Sequence, residues 1–173
     1  MEPDRNRILI TDFNNLASAQ WEVVDDVVMG GRSVGHFQLL ESGHALFSGN
    51  LSLKNNGGFS SVKNRHRINI ESAESIRLKI KGDGNRYSFR FRTGRNGQTH
   101  RFVYESRFKT TPGEWETILL DLSEFEAVFR GRSVTDAPPP DLASIHEYGF
   151  LISDKQEGEF RLEIDSVEAV LNK

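Results

Sequence analysis

Apolar and polar residues in this chain alternate at a period of two, and they do so repeatedly between closely spaced turn signals. In Ser75–Lys81, Ile76, Leu78 and Ile80 alternate with Arg77, Lys79 and Lys81. In Arg86–Arg92, Tyr87, Phe89 and Phe91 alternate with Ser88, Arg90 and Arg92; in Phe160–Asp165, Phe160, Leu162 and Ile164 alternate with Arg161, Glu163 and Asp165. Successive strand side chains point to opposite faces, so each segment lays one face in a core and the other in water. After Asp165 the apolar parity slips to Val167 and Ala169, which predicts a bulge near Ser166.

Further strands are expected at Arg7–Phe13, Trp21–Val28, Gly35–Glu41, His44–Leu53, Gly58–Lys63, Thr99–Phe108, Trp115–Asp121 and Tyr148–Ser153. The runs SGH, NNGG, KGDGN, GRNG, TPGE and KQEGE between them are turn signals, several of hairpin type. Helical periodicity is confined to Asn14–Ala19 and Asp141–His146, the latter capped by Asp141. Many short strands with regular turns predict an all-β antiparallel jelly-roll sandwich with under about a tenth of its residues helical. Gly131–Pro140 ends in three prolines and cannot be a central strand. It reads as a long loop inside a single domain spanning residues 1–173, because the strand after it is too isolated to fold alone.

Twelve Phe in 173 residues imply a packed core rather than a disordered chain. The formal charge of −3 gives no general attraction to nucleic acid, so a nucleic-acid partner is not expected. With no cysteine, disulfides, thiolate metal sites and a Cys nucleophile are excluded. The N-terminal residues show neither an apolar signal core nor a transit-peptide composition, and no apolar run is long enough to span a bilayer. A cytoplasmic location without membrane insertion is the resulting expectation.

The densest motifs are WEVVDDVVMGGRS (Trp21–Ser33), LKNNGGFSSVK (Leu53–Lys63) and YGFLISDKQEGEFRLEID (Tyr148–Asp165). Gly30-Gly31 and Asn56-Gly57-Gly58 supply either anion-binding amide nests or tight turns whose amides bond Asp25, Asp26 and Asn55. Gly31-Arg32-Ser33-Val34-Gly35 matches a nucleophile elbow, but a strand comes after it where the elbow needs a helix. The same stretch mimics a phosphate-binding loop with His36 in place of the required Lys. The histidines at 36, 44, 66, 100 and 146 show no ligand-like pairing. Asp12, Asp25, Asp165 and Glu168 are candidate calcium ligands without a compact loop to gather them, so no metal and no cofactor is expected.

In order along the chain, Asp-x-x-Met-Gly-Gly-x-Ser, Asn-Asn-Gly-Gly-Phe-x-Ser-Val and Gly-Phe-Leu-Ile-Ser-Asp-Lys-x-x-Gly-x-Phe closely resemble the complex I intermediate-associated protein 30 family. Trp115 after Pro112-Gly113, and Phe129-Arg130-Gly131-Arg132, also look like family positions, and the resemblance runs from about Phe13 to about Val170. It implies a galactose-binding-domain-like jelly roll. It also implies a non-enzymatic role with no catalytic residues, the family's mitochondrial members being assembly factors for respiratory complex I.

The expected function is therefore a non-enzymatic binding or assembly module that engages a protein partner. The expected site is formed by Asp26, Met29, Gly30, Gly31, Arg32, Ser33, Asn55, Asn56, Gly57, Gly58 and Phe59. Arg130, Arg132, Asp154 and Lys155 are its candidate neighbours. Two strands separate the glycine loops, which returns the chain to the same end of the sandwich and lets the loops meet. If β-segments 75–81, 86–92 and 99–108 are neighbours, Arg77, Lys79, Lys81, Arg90, Arg92, Arg101 and Arg107 share an outer face interrupted by Glu105. A carbohydrate or anionic small ligand is the alternative, with only two Trp and three Tyr available for stacking.

Overall fold

The computed structural model describes residues 6–13, 21–95 and 98–172, leaving the side chains of residues 28, 29, 56 and 95 undescribed. Its strands are β1 (Arg7–Thr11), β2 (Trp21–Asp25), β3 (Val34–Leu39), β4 (Ala45–Leu51), β5 (Ser60–Asn64), β6 (Ala73–Lys81) and β7 (Arg86–Arg95). They continue with β8 (Gln98–Thr99), β9 (Val103–Lys109), β10 (Trp115–Asp121), β11 (Glu126–Phe129), β12 (Arg132–Ser133), β13 (Ile145–Ile152) and β14 (Gly158–Leu171). One sheet runs β10-β6-β14-β4-β3 with β1 added beside β14; the other runs β12-β11-β9-β7-β13-β5-β2 with β8 added beside β7. Paired strands are antiparallel throughout, giving an all-β two-sheet sandwich. Helix among the described residues is limited to 3-10 turns at Asp26–Met29, Lys54–Asn56 and Leu122–Glu124.

The alternating residues face each other across the sandwich. Tyr87, Phe89 and Phe91 of β7 meet Leu78 and Ile80 of β6 and Leu162 and Ile164 of β14 in one buried cluster. Apolar burial of this kind contributes about 25 cal/mol per Å² and dominates the fold's stability. The bulge expected near Ser166 is present: register shifts between Ile164 and Ser166, and Val167 and Ala169 then re-enter the core.

Several elements differ from the sequence expectation. Asn14–Ala19 lies outside the described residues. Asp141–His146 is not helical: Asp141 does cap a turn through the Ala143 and Ser144 amides, but Ile145 already opens β13. Thr99–Phe108 is split into β8 and β9. The expected loop Gly131–Pro140 is not loop throughout: Arg132–Ser133 is β12, which closes a short hairpin on β11 that the turn signals do not reveal.

The largest correction concerns β6 and β7, which lie in different sheets. KGDGN is a crossover between layers, not a hairpin. Asp83 holds it, accepting hydrogen bonds from the Asn85 amide (3.0 Å), Asn85 Nδ2 (2.9 Å), Tyr87 Oη (3.0 Å) and the Arg161 amide (2.7 Å). The expected basic face is therefore divided. Arg77, Lys79 and Lys81 of β6 lie against Glu168, Asp165 and Glu163 of β14, at 2.8, 4.0 and 3.6 Å. Arg90, Arg92, Arg101 and Arg107 belong with the other sheet.

Candidate functional site

Asp25 and Asp26 end β2 and turn the chain into the Gly30-Gly31 loop. Asp26 is 1% exposed and accepts from the Ser33 amide (2.9 Å), Ser33 Oγ (2.6 Å), the Gly58 amide (2.6 Å) and the Phe59 amide (3.3 Å). Burial alone raises its pKa. The bonds from Ser33 Oγ and from the Gly58, Ser33 and Phe59 amides outweigh burial and hold the carboxyl below the usual aspartate range. Asp25 makes the companion tie, accepting from the Gly35 amide and Ser60 Oγ.

The two glycine loops thus meet at one end, as expected, and Asp26 is where they meet. The geometry decides between nest and turn. The Gly58, Phe59 and Ser33 amides receive the chain's own Asp26, while the Gly30 and Gly31 amides donate to the Val27 and Asp26 carbonyls. These amides are engaged within the fold and not offered to a ligand. Gly30 is left-handed (φ 88°) with open space around it, whereas a Cβ on Gly31 would stand 2.3 Å from Asp26 Cγ. The Ser33 hydroxyl is buried, donating to Asp26 and accepting from the Ser52 amide, so it is a strut rather than a nucleophile.

Asp26 and Ser33 are therefore corrected from partner contacts to internal ties. Arg32 is exposed beside them. The side chains of Met29 and Asn56 lie outside the described residues. The candidate calcium ligands do not converge: Asp25 bonds Ser60, Asp165 lies 3.2 Å from His44, and Glu168 lies 2.8 Å from Arg77.

The second glycine loop, with Asp26, borders a cleft of about 580 Å³ on the outer face of the larger sheet, whereas Gly30, Gly31, Arg32 and Ser33 do not line it. Gly57, Gly58 and Phe59 line one end; the Arg130-Gly131 hairpin tip, Asp154 and Lys155 line its rim. Arg132 follows the tip directly, paired with Phe129 and exposed, and does not line the cleft. The floor comes from β5, β7, β9 and β13: Lys63, Arg90, Arg92, Glu105, Arg107 and Glu147. Arg90 stands opposite Glu105 on one side and Gly149 on the other, where the floor carries no side chain. Sequence reasoning names Arg90, Arg92, Arg101, Arg107 and Glu105 as a charged face without joining them to the site, and misses Lys63 and Glu147. Those two alternate outward on their strands, and only strand order brings them in.

The rim is locally strained. Arg130, Asp154 and Lys155 have φ of 50°, 62° and 57°, and Asn55, two residues before Gly57, has φ 56°. For Arg130 and Lys155 this region costs about 1 kcal/mol each, less for Asn55 and Asp154, whose short polar side chains tolerate it, and such residues cluster at binding and switch sites. Burial pushes Glu105 up against the opposing charges of Arg90 and Arg107; burial likewise lowers Arg90, with Glu105 and Glu147 opposing.

Comparison with known families supplies the decisive match: the model for "Complex I intermediate-associated protein 30 (CIA30)" covers residues 11–164. The chain belongs to the complex I intermediate-associated protein 30 family. This family member is 27% identical to the uncharacterized protein C9E9.15 of Schizosaccharomyces pombe, over 94% of this chain and 83% of that one. Its fold is similar to the family 11 carbohydrate-binding module of the cellulosomal cellulase Lic26A-Cel5E of Clostridium thermocellum. That likeness has a TM-score of 0.70 and 15% identity, covering 96% of this chain and 95% of the module. A structure of the Clostridium thermocellum module in complex with a β-1,3-1,4-mixed-linked tetrasaccharide matches equally, with a TM-score of 0.70, 16% identity and 95% of each chain covered.

Proposed function

We propose that this chain is a non-enzymatic binding module that seats part of a protein partner in the cleft of its larger sheet during assembly of a larger complex. One observation carries the reading: the cleft is the place where rim loops with left-handed backbone, residues from each of the family's three motifs and a concentration of guanidinium groups coincide. Hydrolytic chemistry finds no support there, because Ser33 is buried in a bonded strut and the floor carboxylates face cations.

The test is site-directed photo-crosslinking in cells of the source organism. A crosslinker at Ser61 or Phe129, both lining the cleft, is expected to trap a discrete protein species. The same group at Lys79, on the outer face of the other sheet, is expected to trap none. Equal trapping from both faces defeats the reading.

Carbohydrate binding is the second reading, favoured by the likeness to the module solved with a tetrasaccharide. Against it stands the aromatic geometry. Tyr87, Tyr104 and Tyr148 are buried, Trp21 is stacked on Phe37 at 5.0 Å, and Trp115, on the other sheet, lies against His44 and Lys81. Sugar recognition usually uses an open aromatic face, and the cleft offers none from Trp or Tyr. A glycan array showing saturable binding, together with absence of protein crosslinks, reverses the order of the two readings.

A further inference from the structure

Among the described residues lining the cleft, seven are cationic (Lys63, Arg90, Arg92, Arg101, Arg107, Arg130 and Lys155) and four are acidic (Asp26, Glu105, Glu147 and Asp154). The acids are already engaged. Asp26 serves the loop ties. Glu147 is shared by Arg92, Lys63 and Arg65 at 3.0, 4.0 and 3.9 Å. Arg107 lies 3.8 Å from Glu105 and 3.6 Å from Asp154.

The cations are not all matched. Among the described residues Arg90, Arg101 and Lys155 have no acceptor within hydrogen-bond or ion-pair distance. Arg92 Nε is buried and, although 3.0 Å from Glu147 Oε1, is out of line and makes no hydrogen bond. Arginine has five donors in a planar fork that matches a carboxylate, and a half-buried fork without an acceptor is costly. The whole chain is acidic, at −3, so this cationic surplus is local to the cleft.

We propose that the cleft takes an acidic peptide segment, one of whose carboxylates is received by Arg90 and Arg92 on the floor while Arg101 and Lys155 meet its neighbours at the rim. A carboxylate there supplies an acceptor to Arg90 and to the donors of Arg92 that Glu147 leaves without a hydrogen bond. A peptide suits the surface better than an acidic polysaccharide because the exposed apolar group at the rim is Phe129, 40% exposed, with Arg130 5.2 Å from its ring. That pair offers a side-chain anchor rather than a stacking platform. The inference rests on the cleft being the binding site proposed above and adds the chemistry of its occupant.

The experiment is fluorescence anisotropy of the intact chain with labelled oligoglutamate, oligoglutamine and oligolysine peptides. Saturable binding of oligoglutamate alone is expected, weakening as salt rises. Arg92→Gln should reduce affinity about tenfold or more, the effect of losing one charge-assisted bond. Arg101→Gln, at an exposed position that does not hold the fold, should reduce it severalfold. Lys79→Gln on the opposite sheet should leave it unchanged. The proposal is overturned if oligoglutamate binds no better than oligoglutamine, if Lys79→Gln weakens binding as much as Arg101→Gln, or if alginate binds and oligoglutamate does not. Persisting crosslinks at Ser61 without oligoglutamate binding would leave the cleft reading standing and remove only the acidic occupant. Loss of both removes the cleft reading as well.

Discussion

At the scale of single residues, Asp26 is the most consequential position. Its four acceptor bonds join two loops that lie far apart in sequence, and its depressed pKa records how strongly the folded state prefers the ionised form. Asp26→Ala leaves buried amides unpaired and should destabilise by about 3 kcal/mol in denaturant titration. The sign of the pH dependence is fixed by the direction of that shift. A carboxyl held below its unfolded value contributes stability that is present at neutral pH. That contribution is lost as pH falls below about 4, through the unfolded value toward the folded one. Asp26→Asn should lack that component, so its acid-unfolding profile should be flatter than the wild type's. The adjacent glycines separate two physical requirements. Gly30→Ala meets no atom but places a Cβ at φ 88°, costing about 1 kcal/mol; Gly31→Ala drives a Cβ into a carboxylate pinned by four bonds and should cost on the order of 2 kcal/mol. Because Gly31 and Asp26 act as one unit, the double mutant Gly31→Ala/Asp26→Ala should cost clearly less than the sum of the single changes.

At the scale of elements, the β11–β12 hairpin departs from local preference at its turn. Arg130-Gly131, with φ of 50° and 77°, is a two-residue turn of the kind that favours Asn-Gly. Arg130→Asn should therefore raise stability by about 0.5 kcal/mol while weakening crosslinking from Phe129, a trade expected where a rim side chain serves binding. Arginine at the first turn position is also why this hairpin is illegible in the sequence. The alternating strands Ser75–Lys81, Arg86–Arg92 and Phe160–Asp165 and the bulge after Ile164 are legible because they depend on side-chain parity alone. Partner choice is not. KGDGN reads as a turn signal that leaves the partner of the next strand open, and Asp83, accepting from Tyr87 ahead of it and from the Arg161 amide across from it, holds a crossover that takes β7 into the other layer. Part of the site shares that fate. Asn55–Phe59, Arg130 and Asp154-Lys155 are visible as motif residues. The floor acids and cations become neighbours only once β5, β7, β9 and β13 are set side by side.

At the scale of the whole molecule, the last two strands are central rather than peripheral. β14 lies between β6 and β4 and also receives β1; β13 lies between β7 and β5. Neither sheet can close until the C-terminal part of the chain has arrived, and the pairings it completes join residues far apart in sequence. Such topology predicts folding in milliseconds to seconds rather than microseconds, because loop-closure entropy is lost before the pairing returns it. The cleft inherits the same dependence. Its floor is β7 against β13 and β5, and Asp154 and Lys155 on its rim belong to the turn leading into β14. A chain ending at Glu157 retains most of its residues but leaves β4 and β6 with unpaired edges. It also leaves Phe47 without Phe160, whose ring lies 5.0 Å away. It should show no cooperative unfolding transition in urea and no crosslink from Ser61. A sigmoidal transition with a substantial denaturant slope in that truncated chain would show that the larger sheet closes independently of β14, and would contradict the argument that both layers form as one unit.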